Sequence, residues 1–487
     1  MIKELKDTLL GNKPENDIFT VSYRYAERDY ESLTAFINNR YDREAIFSCL
    51  RKERKRLQRL KYLKGVVICS DGKFNLGNEE RLRKKEIIMA EKRLFRFAMM
   101  RDQGTAANPN VTFNNFKDWI ELLLTKDKVE IYNLLNSPEE FTKTAKRICK
   151  AEDEEPYLHL YSYIHEFIEI CPEKYLENGI FGKFMRSVMG VIFFSKSAKN
   201  PDYKNIIRLS GFFAATYLFD DILDDTGYKT KEKEEYFQNV FAILNSKKSD
   251  KINYSPDPLM AFSESAFAGM RDILDERNGR IVSQSYIAIA GASAKGSRWN
   301  YKTQLTDKEI YSVAAIKAAY TRIIPAILTG HTIDEKFISH CMRAGLIYQL
   351  TDDLRDITDD ITEGSITPFN YYCYGAAEQN IHPVEIFLAA VSRISAENLK
   401  DIPDAKDLWI MRITHSIRLL KLKYGESNLT KLLTEMNFPD GKITEELAMI
   451  AECSDVIVDL EAETAKICSD IAINMHGGDS KKAIFGH

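Results

Sequence analysis

The sequence predicts an all-α protein, a helical bundle behind a mostly helical N-terminal extension, and three observations predict it. From Pro156 onward the chain is almost wholly helical in pattern, interrupted at 245–258, 364–368 and 437–441. Two runs, 209–219 and 344–350, are apolar nearly all round, the pattern of helices buried on every side. Each run leads into an aspartate cluster, Asp220-Asp221-Ile222-Leu223-Asp224-Asp225 and Asp352-Asp353-Leu354-Arg355-Asp356, placed where a helix should end, with Gly227 a stop for the first.

The N-terminal region, 1–150, reads differently from 151–487. Around Arg40 to Arg93, two charged helical stretches flank 64–76, where β-branched residues alternate around Asp71-Gly72 as in a β-hairpin. Helices followed by such a hairpin look faintly like a winged helix. The segment 51–64 carries eight basic residues against one acid. Such a face can meet a polyanion, but on a helix it is more often simply solvated, and a docking or dimerisation module is the favoured role for the region. A loop at 102–110 marks an internal boundary, the acidic 151–156 a second, and the tail from His476 is expected to be disordered.

Composition excludes several classes. The chain has 487 residues, 44% hydrophobic and 29% charged, ordinary for a globular protein with a large core. A net charge of −4 argues against bulk nucleic-acid binding. No uncharged apolar stretch of membrane-spanning length occurs, and residues 1–7 lack the apolar core of a signal peptide. Cys49, Cys69, Cys149, Cys171, Cys341, Cys373, Cys453 and Cys468 show no CxxC spacing, so a reducing, cytoplasmic setting without zinc site or disulfide framework is expected. The histidines form no HExxH, and GxSxG, GxGxxG and P-loop patterns are missing.

The acids carry the chemistry. Asp220 with Asp224, and Asp352 with Asp356, stand four apart, so each pair shares a helical face and repels by a few tenths of a kcal/mol. A helix C-terminus is itself partly negative, which compounds the repulsion. A hard divalent cation with oxygen ligands, Mg²⁺ above all, resolves the conflict, especially if both clusters share a phosphate ligand.

These clusters resemble the first and second aspartate-rich motifs (DDxxD) of the trans-isoprenyl diphosphate synthases, the polyprenyl synthetase family. Tyr348-Gln349-Leu350-Thr351-Asp352-Asp353 is similar to the family's FQxxDD, and Gly182-Lys183-Phe184-Met185-Arg186 to part of its GGKRxRP segment. Leu305 to Tyr311, followed by Ile316-Lys317-Ala318-Ala319, resembles the segment ending in the family's Lys-Thr. The motifs fall in family order across about 155–487. The chain also departs from the pattern: Lys229-Thr230 stands for Arg-Arg, Phe213 for a His or Gln, Ala318 for the Thr of Lys-Thr, and Ser365 for a Lys after Gly364.

The resemblance implies an isoprenoid-synthase-type bundle, usually dimeric, working as a Mg²⁺-dependent (E)-prenyltransferase that joins an allylic prenyl diphosphate to isopentenyl diphosphate. It implies Asp220, Asp224 and Asp352 as ligands of three Mg²⁺ ions, with Asp221, Asp353 and Asp356 in support. Lys229 and Lys317 would hold the allylic diphosphate, Lys183 and Arg186 the isopentenyl diphosphate, with Gln349 and Phe213 beside the substrates. The small Ala215 and Thr216 would set pocket depth, with Phe212 and Phe213 closing it near a twenty-carbon product. Phe213 and Thr230, where second-substrate contacts are lost, leave open a class I terpene synthase. Gln349-Leu350-Thr351 and Leu354-Arg355-Asp356 also look like the QLTNILRD of head-to-head condensing enzymes, and a non-catalytic partner subunit is the remaining alternative.

Overall fold

The computed structural model describes residues 1–12, 17–69, 135–148, 153–177, 179–195, 201–225, 227–373, 381–397, 410, 441–453, 469, 471–473 and 475. Among them every regular element is a helix, as the all-α reading expects. In chain order these are α1 (Ile2–Leu9), α2 (Ile18–Asn39), α3 (Arg43–Cys69), α4 (Pro138–Ile148), α5 (Glu155–Ile170) and α6 (Glu173–Glu177). There follow α7 (Ile180–Ser195), α8 (Tyr203–Ala215), α9 (Leu218–Asp224), α10 (Thr230–Asn245), α11 (Pro258–Ile273) and α12 (Glu276–Gly296). The last are α13 (Asp307–Leu328), α14 (Glu335–Arg355), α15 (Ile357–Glu363), α16 (Pro368–Cys373), α17 (Pro383–Glu397) and α18 (Gly441–Cys453).

The chain divides into two compact units. The first comprises Met1–Ala106, Gln284–Ile323 and Asp334–Val458. The boundary expected near residue 150, the loop at 102–110, residues 437–440 and the tail from His476 lie outside the described residues.

In the first unit α14 packs on α1, α17 and α16, and α2 lies against α1 and α17. Asp17 starts α2 by accepting from the N–H groups of Phe19 (3.2 Å) and Thr20 (3.1 Å), which satisfies donors the helix cannot. Val21, Tyr25, Tyr30 and Leu33 then form one buried face, and Tyr30 stacks on Tyr311 at 4.8 Å. Asp29 fixes the register of α2. It accepts from Arg393 of α17 (2.6 Å) and from Arg343 of α14 (3.1 Å), and Arg393 also reaches its backbone carbonyl (3.0 Å). Arg393 is buried, so this pair replaces the hydration its charge has lost.

Helix α13 opens with a capping box, Thr306 Oγ1 accepting from Glu309 N–H and Glu309 from Thr306 N–H. The hydroxyl of Tyr371 in α16 donates to the carbonyl and accepts from the N–H of Leu305, both at 3.0 Å. Gly345 of α14 meets α13 without a side chain between them: a Cβ there would stand 2.7 Å from Ala315 O and Ala319 N. Glycine is required by that approach. Among the described helices only α13 is long and apolar enough to cross a membrane, and 78% of that window is buried inside the protein, as in a core helix.

The hairpin expectation is corrected. Helix α3 continues through Cys69, so 64–69, the expected first arm, is helical, and 70–76 lies outside the described residues. Val66, Val67 and Ile68 cost little in a helix already propagating from the long-chain residues before them. Basic residues of the same helix have partners. Arg54 binds Glu446 of α18 through two nitrogens (2.5 and 3.2 Å), Arg51 approaches it at 3.7 Å, and Arg56 binds Glu53.

The second unit comprises Ala107–Ser283, Ile324–Ile333 and Asp459–His487. Here α8 is central, packed on α5, α7 and α11, while α10 and α9 also lie on α11. Its core is aromatic: Phe167 stacks on Phe184 (4.4 Å), Tyr163 on Phe262 (4.6 Å), and Phe212 stands edge-on to Tyr163 (5.2 Å). A Cβ at Gly269 would fall 2.5 Å from the Phe212 ring, so that glycine makes the ring's place.

The apolar run 209–219 is not one helix. It bends at Thr216-Tyr217, where Tyr217 N–H bonds Ala214 O (3.3 Å) and Phe219 N–H bonds Thr216 O (3.1 Å), the tighter three-residue pattern. The Thr216 hydroxyl donates back to Phe213 O (2.7 Å), a competing bond of the kind that bends helices. The first acid cluster thus stands on α9, a separate seven-residue helix, rather than at the end of the long apolar one.

Candidate functional site

The first cluster belongs to the second unit. Asp220 is exposed on the first turn of α9. Asp221 turns toward α7, where Lys183 Nζ donates to it at 3.1 Å. Burial raises the Asp221 carboxyl above the ordinary range, Lys183 pulls it back, and Asp220 adds repulsion. The neighbouring Cys171 thiol is pushed up to about 12 by burial and by Asp221.

Asp225, one residue beyond the motif, is the most heavily bonded acid of the group among the described side chains. It accepts from Lys174 Nζ (2.6 Å), Tyr175 Oη (2.5 Å) and Gly227 N–H (2.7 Å). Lys174, Tyr175 and Gly227 together hold it down to about 2. Lys233 of α10 donates to Leu223 O (2.6 Å), satisfying a carbonyl at the end of α9. Lys229 is exposed just before α10 and Lys183 exposed on α7. The side chains of Asp224 and Arg186 lie outside what the structure describes.

Ala215 and Thr216 are buried, as is Phe213, whose ring stands edge-on to Tyr217 at 5.5 Å. Phe213 therefore offers this region an apolar ring.

The second cluster belongs to the first unit, at the junction of α14 and α15. Asp352 is about half exposed, at 52%. Arg355 lies between Asp352 and Asp356: its guanidinium binds Asp352, and Nε and a terminal nitrogen reach Asp356 at 3.1 and 2.8 Å. A basic side chain of the same helix thus supplies part of the charge that the four-residue spacing calls for. Arg355 sits at i+3 from Asp352, a spacing legible in the sequence.

Asp353 points the other way and is buried, 6% exposed, accepting from Gln349 Nε2 at 2.8 Å. Burial raises its carboxyl well above the ordinary range; the Gln349 bond opposes this, Asp360 and Asp352 add to it, and Lys317 of α13 opposes it again. Gln349 is engaged with this carboxylate. Lys317 is half-buried, and one turn further along α13 Arg322 lies over the Tyr348 ring at 3.4 Å, a cation–π contact. Asp359 and Asp360 follow on α15, so the run of acids extends beyond the motif.

Taken one cluster at a time, the donors are carboxylate oxygens, exposed at Asp220 and Asp352 and part-exposed at Asp221 and Asp356, the type Mg²⁺ takes alongside phosphate oxygens and water. Among the described residues no three His, Cys, Asp or Glu side chains converge as a metal site. Lysines or arginine beside each cluster give it the mixed charge that a bound diphosphate would need. No family model matches the chain, and no curated protein sequence is significantly similar to it.

Proposed function

We propose that the protein is a Mg²⁺-dependent (E)-prenyltransferase of the isoprenoid-synthase type, extending an allylic prenyl diphosphate with isopentenyl diphosphate. The observation that carries the reading is a carboxylate bonded to an adjacent cation at each aspartate motif, part-exposed Asp221 to Lys183 beside the exposed Asp220, and Asp352 and Asp356 to Arg355. Asp220, Asp224 and Asp352 would hold Mg²⁺, with Asp221, Asp353 and Asp356 shaping the charge around them. Bound Mg²⁺ would neutralise the diphosphate as its C–O bond breaks.

The chain's own groups do the rest. Lys229 and Lys317 hold the allylic diphosphate and stabilise the charge it gathers on leaving. Lys183 and Arg186 hold the isopentenyl diphosphate in line with the allylic carbon. Apolar side chains keep water from the cation until the double bond attacks, and the departed diphosphate takes the proton lost from the new chain. The buried Phe213 ring, with no group for a second diphosphate, supports a second reading, a terpene synthase that ionises one prenyl diphosphate.

The test is product analysis. Protein and Mg²⁺ are incubated with geranyl, farnesyl or geranylgeranyl diphosphate, with and without isopentenyl diphosphate. Longer linear diphosphates formed only with isopentenyl diphosphate are the expected result. Hydrocarbon or alcohol formed without it selects the terpene synthase, and no pyrophosphate release from any substrate sinks both.

A further inference from the structure

The four carboxylates between Asp220 and Asp225 form two pairs at four-residue spacing, Asp220 with Asp224 and Asp221 with Asp225. The second pair is tied to the protein. Asp221 accepts from Lys183 at 3.1 Å, and Asp225 accepts from Lys174 (2.6 Å), Tyr175 (2.5 Å) and Gly227 N–H (2.7 Å). Three donors on one carboxylate leave it little to offer a metal. Asp225 also ends α9, its own N–H bonding Asp221 O at 3.1 Å.

Helix α9 has seven residues and hangs from α8 by the bend at Thr216-Tyr217. A helix that short does not hold itself in water, so its direction must come from tertiary anchors. We infer that Asp225, latched by Lys174 and Tyr175 of α6, is a positioning residue: it fixes α9 and thereby aims the exposed Asp220 of that helix at Mg²⁺. The inference rests on the Mg²⁺ reading of the first cluster. It assigns Asp225 to orientation rather than ligation, and gives α6 a function although it carries no residue of the motif.

The test is titration calorimetry of the full chain with Mg²⁺ in the presence of inorganic pyrophosphate. Asp225→Asn and Lys174→Met should each weaken Mg²⁺ binding about tenfold, the low end of what loss of a ligand-orienting partner costs. Lys174→Arg, which can still donate to the carboxylate, should stay within about twofold of wild type. If Asp225→Asn does not fold, Lys174→Met, at a half-exposed position, and Tyr175→Phe carry the test. Ser255→Ala is the control: it removes a hydrogen bond to Glu264 (2.5 Å) in the same unit and should lower the melting temperature while leaving Mg²⁺ affinity unchanged. Wild-type affinity in both Asp225→Asn and Lys174→Met, or an equal loss in the control, overturns the positioning role alone. A wild-type chain that binds no Mg²⁺ with pyrophosphate overturns the Mg²⁺ reading and this role with it.

Discussion

Burial holds the Asp353 carboxyl well above the ordinary carboxylate range while Asp225, bonded to Lys174 and Tyr175, is held at about 2, so two acids of similar motifs respond to pH in opposite senses. Asp353 has its pKa raised on folding. Its contribution to stability is therefore complete below the unfolded carboxylate range and is lost as pH rises through the raised value. Asp353→Asn, which keeps an acceptor for Gln349, should raise stability at pH 8 by about 1 kcal/mol or more and change little at pH 4. Urea midpoints at the two pH values check this; equal shifts would reject it. Asp225 runs the other way: its stabilisation is present above the unfolded value, near 3.8, and disappears as pH falls toward 2. Asp225→Asn should cost about 1 kcal/mol at pH 6 in EDTA, discounted for the exposure of Lys174, and almost nothing at pH 2. Asp220→Ala and Asp352→Ala, at exposed positions, should leave the melting temperature within a degree or so while cutting turnover about a thousandfold. Full turnover in either variant would remove the metal assignment. The acids themselves were legible in the sequence because like charges at helical spacing after an apolar run conflict with local physics. Lys174 was not, since it lies 51 residues from Asp225 and only the tertiary fold brings the two together.

Elements were legible where punctuation is local. The break at 245–258 appears as the end of α10 at Asn245 and the start of α11 at Pro258, a proline in the first turn. That at 364–368 appears as Gly364, left-handed at φ 75°, followed by Pro368 opening α16. The hairpin expected at 64–76 failed over 64–69 because β-branched residues state a preference that a growing helix overrides. The bend at Thr216 was hidden for the converse reason: an apolar run has no punctuation, and the hydroxyl that bends it is one bond among many. Packing between elements was equally silent in the sequence. Gly345 is the clearest case, and Gly345→Ala should cost about 2 kcal/mol, because the methyl meets backbone atoms of α13 that cannot turn aside. Chemical denaturation measures it, and a neutral result would show that the two helices slide apart freely.

At the scale of the whole chain, the N-terminal region read as an extension contributes α1 and α2 to the same compact unit as α14 and α17. Composition and pattern divide the sequence well by motif but poorly by packing, because a helix with an ordinary amphipathic face does not announce which helices will cover it. Asp29→Asn should destabilise this unit by about 3 kcal/mol, since Arg393 would remain buried without its charge partner. A chain lacking residues 1–39 should lose cooperative unfolding of α14 and α17, seen as early hydrogen exchange in both. Protection there equal to that of the full chain would show that the extension is dispensable.

The same Asp29 sets a schedule. Its partner Arg393 lies 364 residues later in the chain, an interval of roughly 20–70 s at translation rates of about 5–20 residues per second. Throughout that interval the apolar face of α2, with Tyr25, Tyr30 and Leu33, has been made while α17, which lies against it, is not complete. A nascent chain in that state depends on whatever shields hydrophobic surface during synthesis. Slowing synthesis between α2 and α17 should therefore lower the yield of folded protein without changing the stability of the finished chain.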